Sequence, residues 1–469
     1  MASSAQNPDL LAEELSRFNL AKVIKSVVGI AIIVAICAVI YRFLPFTEQA
    51  NKGLVILFFI GALWLTEIVH TTITALLVPL SAVLLGVPES ITLKSSLTSF
   101  ADPIIFLFFG GFALATALHM QKIDRKIALF MIRLSKGHLG VTVFSLFFVT
   151  AGLSMWISNT ATAAMMLPLA LGIMSNLDFS KERGTFIFIL LGIAYSASIG
   201  GLGTLVGSPP NAIAAKALNY SFDDWFLVGI PMMVVLMPVM FIVLYIIFKP
   251  KLNMRINVTD EVIPWTLPRI IATVLFIVTA IAWISGSYIQ KHLGISSPDT
   301  YVAITCAIAV VVLGLASWQE VSENTDWGVL FLFGGGLTLS AVLGSSGASE
   351  ILGNTVADLF GRSHPLVVIF IVVIFIIILT EFTSNTASAA LLVPVFAAVA
   401  AEMGMPEEVL VLMIGLGASC AFMLPIATPP NAIVFGTGHL KQRDMMFAGG
   451  ILNLCCVGIL TIYAYFFLL

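Results

Sequence analysis

Two polar triplets interrupt long apolar stretches of this 469-residue chain. Ser158-Asn159-Thr160 lies in LSMWISNTATAAMMLPLA, and Ser384-Asn385-Thr386 in LTEFTSNTASAALLVPVF. Each is followed by a second interruption: Gly207-Ser208-Pro209-Pro210-Asn211 after the first, Ala427-Thr428-Pro429-Pro430-Asn431 after the second. A helix end leaves about four backbone N–H or C=O groups unpaired. The N–H groups and the positive end of the helix dipole attract anions. Exposed carbonyls, joined by Ser, Thr and Asn oxygens, suit a hard cation such as Na+. Both kinds of group lie side by side here, so one site can hold an anion while neighbouring loops hold cations. No Arg, Lys or His occurs in 139–175, 200–211 or 366–435. An organic anion ordinarily calls for Arg. Without it, helix N-termini, hydroxyls and amides must bind the anion, and bound cations must supply the positive charge. That is a physical reason for coupling the two.

These residues need a scaffold. The chain is 59% apolar and only 10% charged, against about 25% charged in soluble proteins. Its apolar runs match helices crossing a hydrocarbon core of about 30 Å, and the short in–out alternation of a membrane β-barrel is missing. The fold class is therefore an all-α polytopic membrane protein in a lipid bilayer. A net charge of −3 gives no reason to expect a nucleic-acid partner. The five cysteines lie in apolar stretches without a metal-ligand spacing and read as small buried hydrophobes. Residues 1–21 carry Asp9, Glu13 and Glu14 and no apolar core, so they read as a cytoplasmic tail rather than a signal peptide.

The pattern predicts spans at 22–44, 53–69, 72–87 and 103–121, then an amphipathic surface helix over 123–137. Residues 139–175 form two short apolar arms with the first triplet at their tip, which predicts a re-entrant hairpin. Span 5 (184–218) must break at GGLGTLVGSPPN, and span 6 covers 225–248. A polar connector (249–265) leads to spans at 268–289, 299–316 and 327–344, a short polar helix (348–361), a second hairpin (365–400), a span broken at ATPPN (408–435) and span 11 (445–468). With the N-terminus inside, only Arg42, Lys52, Lys94, Lys216, Lys291 and Arg362 of the 22 basic residues face outward. That bias supports eleven spans, N-terminus in and C-terminus out. FLFFGG (106–111) returns as FLFGGG (331–336), SNT as SNT, and PPNAI (209–213) as PPNAI (429–433), each shifted by 220–226 positions. Five crossings separate the two units, so the second is inverted. Paired breaks in an inverted repeat put a transporter's binding site near mid-membrane.

The doubled SNT triplets, each followed by a [GA]-[ST]-PPN loop, resemble the divalent anion/sodium symporter family, in particular INDY-type bacterial sodium-coupled dicarboxylate transporters. The resemblance covers essentially the whole chain. It implies a homodimer in the bacterial inner membrane that moves C4-dicarboxylates with Na+ by an elevator motion. It implies a scaffold over 22–138 and 249–363 and a transport domain over 139–248 and 364–469. Substrate would meet Ser158, Asn159, Thr160, Ser208, Ser384, Asn385, Thr386, Thr428 and Pro429. One Na+ site would use Ser154, Asn159 and Gly207; its inverted partner would use Thr380, Asn385 and Ala427.

Other readings bear on single residues. The GG pairs read as points of close helix packing, and Trp156 as packing for the hairpin. Glu67, His70 and His119 read as structural. Glu381 is the misfit, an acid beside a proposed anion site, and a hydrogen-bonded structural role is weighed against cation or proton coupling. A Na+-independent exchanger of the same fold, or a symporter of sulfate or citrate, is the alternative function. An intramembrane hydrolase would need a base beside Ser154, Ser158 or Ser384, and none is there. No Walker-type loop is present for ATP-driven transport.

Overall fold

The computed structural model describes residues 20–175, 177–255, 262–360 and 363–469. Nearly all of the expected N-terminal tail, together with Arg362, lies outside these residues. Among them, secondary structure is helical, apart from an isolated bridge between His138 and Arg255.

The first unit opens with α1 (Leu20–Phe43), α2 (Glu48–Thr66), α3 (Thr71–Leu85), the short α4 (Leu93–Ser96), α5 (Pro103–Met120) and α6 (Ile123–Leu134). α7 (Leu139–Ser154) and α8 (Asn159–Met174) are the arms of the first hairpin. α9 (Phe179–Gly200) and α10 (Pro209–Ala217) are the two parts of a broken helix, and α11 (Phe222–Phe248) follows. The second unit runs α12 (Leu267–Ile284), α13 (Gly286–Leu293), α14 (Pro298–Val312), α15 (Trp318–Asn324), α16 (Trp327–Ser346) and α17 (Ala348–Phe360). Its hairpin is α18 (Pro365–Thr380) and α19 (Asn385–Glu402), its broken helix α20 (Glu407–Ala418) and α21 (Pro429–Phe435), and α22 (Gln442–Phe467) ends the chain.

Nine helices among the described residues are long and apolar enough to cross a membrane, or up to eleven if each bent pair is one span. Length alone does not separate spans from hairpins: the hairpin arm α19 passes the test, while α3, with 15 residues, does not. One expected span divides. α12 stops at Ile284, and α13 runs on as a separate short helix that meets α14 at 101°. Glycines bring the repeat's central helices together. α5 packs along α14, and α16 packs along α3. A Cβ at Gly110 would sit 2.5 Å from Ala303 O, and one at Gly335 would sit 2.7 Å from the Ala75 backbone. Both are too close for any side chain, so the small residues are what permit these crossings. The expected surface helix, α6, turns Ile123, Ala128, Leu129 and Ile132 inward and leaves Phe130 and Leu134 exposed, as an amphipathic helix does.

The hairpins surround the broken helices. α9 packs on both arms of its hairpin and is buried on every side from Thr185 to Gly200. α20 is enclosed in the same way by α18, α19 and α22. A helix that is apolar all round must sit inside the protein. Beyond each break the chains exchange sides: α10 packs on α19 and α20, and α21 packs on α8 and α9. Each PPN helix therefore completes the other half's wall.

Candidate substrate and cation site

Each motif residue stands at the start of a helix. Ser158 caps α8, accepting from Ala161 N at 3.3 Å, and Ser384 caps α19, accepting from Ala387 N at 3.4 Å. α10 and α21 both begin on Pro-Pro, which tolerates the first helical turn because no partner exists there for its missing N–H. Thr428 caps α21 through Asn431 N at 3.3 Å. Ser208 makes no such bond; its Oγ lies 3.1 Å from Ser419 Oγ of the opposite half. Thr160 and Pro429 are exposed, Ser158, Asn159, Ser384 and Asn385 half-buried, and Ser208, Thr386 and Thr428 buried.

Behind each triplet lies a cluster of oxygens. In the first half, Ser154 Oγ is 2.6 Å from Asn159 Oδ1 and 2.7 Å from Ala197 O. The same Asn159 atom lies 3.1 Å from Ala197 O and 3.2 Å from Gly207 O. Four oxygens thus share the single proton of Ser154. Two arrangements relieve the repulsion: the amide turned over, so that its nitrogen donates to all three neighbours, or a cation among the oxygens. In the second half, Thr380 Oγ1 is 2.6 Å from Asn385 Oδ1 and 2.8 Å from Ala418 O. Ala427 sits in the adjoining break, buried beside Thr428. The donor set in both halves is neutral and all oxygen, which fits an alkali cation. Of the proposed cation ligands, Ser154, Asn159 and Gly207 are brought together directly, as are Thr380 and Asn385.

Two asparagines were not singled out from the sequence, although PPN contains them. Asn211 Nδ2 donates to Gly201 O at 2.8 Å and Thr204 O at 2.7 Å. Asn431 Nδ2 donates to Ala421 O at 3.2 Å and Leu424 O at 3.0 Å. Each stitches the carbonyls of its own break, which would otherwise be stranded in a low-dielectric interior. Glu381 is buried, with 2% exposure, and accepts from Met423 N at 2.9 Å, Leu424 N at 3.0 Å and Asn453 Nδ2 at 2.7 Å. It therefore faces the break, in a hydrogen-bonded role.

A cavity of about 1450 Å³, lined by Ser158 and Thr160, extends along the C-terminal part of α5 to Lys122 and Arg125 of the following turn and α6, and its lining includes Asn324 and Asp326. At the opposite end of α5, side-chain contacts tie the first half to neighbouring helices. Asp102 pairs with Lys216 of α10 at 2.9 Å. Trp156, at the first hairpin's tip, stacks on Phe222 and Trp283 at 6.0 and 6.3 Å. The cavity thus meets the first triplet on the face away from these contacts.

The family described as "Sodium:sulfate symporter transmembrane region" matches residues 21–469. A protein of Haemophilus influenzae named as an uncharacterised transporter is 55% identical over 92% of this chain and 94% of its own. The sodium-dependent dicarboxylate transporter SdcS of Staphylococcus saprophyticus is 31% identical, covering 89% of this chain and 86% of its own. Among solved structures, the YdaH transporter of Alcanivorax borkumensis superposes with a TM-score of 0.57 at 16% identity, covering 80% of this chain and 87% of that one; this shows a shared fold. The inverted repeat, the paired breaks and a match along nearly the whole length lead to one conclusion: the chain is a membrane transporter, not an enzyme, and belongs to the sodium:sulfate symporter family, also described as divalent anion/sodium symporters.

Proposed function

We propose that the protein is a Na+-coupled symporter that brings C4-dicarboxylates of the succinate, malate and fumarate type into the cell. The carrying observation is the double placement of each motif asparagine. Asn159 and Asn385 turn their side-chain amides toward the buried oxygen clusters, while they open α8 and α19 with the capping serines beside them. One side of each asparagine suits a cation and the other a carboxylate. Na+ at Ser154, Asn159 and Gly207, and at Thr380, Asn385 and Ala427, supplies the positive charge that no Arg or Lys provides here. Carboxylates then meet the N–H ends of α8 and α19 and the hydroxyls of Ser158, Thr160, Ser208, Ser384, Thr386 and Thr428, with Pro429 on the rim. The 31% identity to a sodium-dependent dicarboxylate transporter supports this choice of cargo.

The protein works as a homodimer in the bacterial inner membrane, with its N-terminus cytoplasmic and C-terminus periplasmic. The hairpins, broken helices, α11 and α22 move as an elevator past a scaffold of α1–α6 and α12–α17. In that orientation the cavity beside Lys122 opens to the cytoplasm. A second reading has an observation in its favour: the family description names sulfate. Liposomes holding the purified protein decide between them. Labelled succinate should accumulate under an inward Na+ gradient and not under K+. Uptake of sulfate in place of succinate overturns the substrate assignment. Uptake without Na+, driven by internal dicarboxylate, overturns symport in favour of exchange.

A further inference from the structure

The two cation clusters are reached by matching relays built from different chemistry. In the first half, the relay starts at the backbone carbonyl of Met155, the residue after Ser154. Thr204 Oγ1 donates to that carbonyl, and Gly207 N donates to Thr204 Oγ1 at 3.2 Å. In the second half, it starts at the side chain of Glu381, the residue after Thr380. Leu424 N donates to Glu381 Oε2 at 3.0 Å, and Leu424 O accepts from Ala427 N at 3.2 Å. Met155 and Glu381 occupy equivalent positions of the repeat, as do Thr204 and Leu424, and Gly207 and Ala427. Each relay joins a hydroxyl ligand on the hairpin tip to a backbone ligand in the break.

We infer that Glu381 is a positioning residue that assembles the second cation cluster by fixing Ala427 relative to Thr380, and that Thr204 does the same, more weakly, for Gly207 and Ser154. This rests on the cation sites proposed above. The carboxyl group takes three donors, from two backbone positions of the break and from Asn453 on α22. It therefore pins hairpin, break and α22 at one point. Hydrogen bonds to a carboxylate are about twice as strong as neutral ones. The second cluster is accordingly the more rigid of the two before any cation arrives. A merely structural acid would not act on one cluster and spare the other.

The test is Na+ titration of the purified protein by intrinsic tryptophan fluorescence, with succinate affinity measured at saturating Na+. Glu381→Gln keeps the shape but turns an amide N–H toward one of the backbone N–H donors. It should raise the Na+ half-saturation about tenfold, with little change in succinate affinity once Na+ saturates. In a Thr380→Ala background the added effect of E381Q should vanish, and in a Ser154→Ala background it should persist in full. Thr204→Val should show the reverse pairing, with a smaller shift of about threefold. Equal shifts in both backgrounds, or no shift from E381Q, overturn the inference. If E381Q does not fold, Asn453→Ala removes one of the three donors and should shift Na+ in the same direction and with the same pairing; no shift overturns the inference as well. A wild-type protein that binds succinate but shows no response to Na+ would instead overturn the symport reading on which this rests.

Discussion

The two halves of the chain fold alike and are packed unlike. Equivalent positions make the point. Val206 in the first break is 8% exposed, and Ile426 in the second is 79% exposed. Trp156 at the first hairpin tip is stacked against Trp283 and Phe222, whereas Phe382 at the second is 68% exposed. Asp102 caps α5 through Ile104 N and also holds Lys216 of α10; Asp326, one residue off the repeat's register, caps α16 through Val329 N, but the counterpart of Lys216 is Gly436. Asp326 instead lines the cavity. The first half is thus tied to the surrounding helices at one end of α5, and the second half is untied at the other end. In an inverted repeat, exchanging these two packings would close the open face and open the closed one. The asymmetry lies in the contacts between units, while Ser154–Asn159–Ala197 and Thr380–Asn385–Ala418 are arranged alike inside each unit.

The largest effect should come where the halves are alike. Asn159→Ala and Asn385→Ala should each lower Na+-dependent succinate uptake on the order of a hundredfold, since each removes a proposed cation ligand and a helix-opening amide together. A transporter in which only one of the two variants loses uptake would break the equivalence of the clusters. A smaller effect should appear where the halves differ. Trp156→Ala should destabilise the protein by about 2–3 kcal/mol, read as a fall in Tm, because it empties a stack between hairpin and neighbouring helices. Phe382→Ala, at the exposed counterpart, should change stability by about 0.5 kcal/mol or less. Similar losses from both would show that the second tip is packed too. The smallest effect belongs to the ion pair. Lys216→Ala frees α10 from Asp102 and should shift the balance between open faces by roughly two- to fivefold, in keeping with a partly exposed pair worth about 0.5–1 kcal/mol. Thiol labelling of a cysteine introduced near Lys216 should rise accordingly, and the gain should shrink in high salt. Unchanged labelling would remove the pair from any part in closing that face.

Much of this architecture was legible in the sequence because it violates the local rule. Polar triplets and double prolines stand out in apolar runs; their doubling at shifts of 220–226 positions marks the repeat, and the odd number of crossings between the units marks its inversion. The Gly-Gly packing points were legible for the same reason. What the local pattern could not carry was partner choice over long separations. Nothing near Glu381 in the sequence points to Met423, Leu424 or Asn453. Nothing near Asp102 points to Lys216. The exchange of α10 and α21 between halves depends on how four helix ends meet, which no run of residues encodes alone. Asn211 and Asn431 were visible as letters of a motif, but their task of holding each break's carbonyls appears only once the break has a shape. The division of the span after Ile284 falls at Ser285-Gly286-Ser287, a single-glycine interruption far weaker than the double prolines of the breaks.

In the proposed symport, the oxygen clusters behind Asn159 and Asn385 hold the positive charge that the anion needs. Succinate binding to the purified protein, measured by calorimetry in Na+ and in K+ at equal ionic strength, tests it without any transport step. Binding should be at least about tenfold tighter in Na+. Equal affinities in the two salts would contradict it.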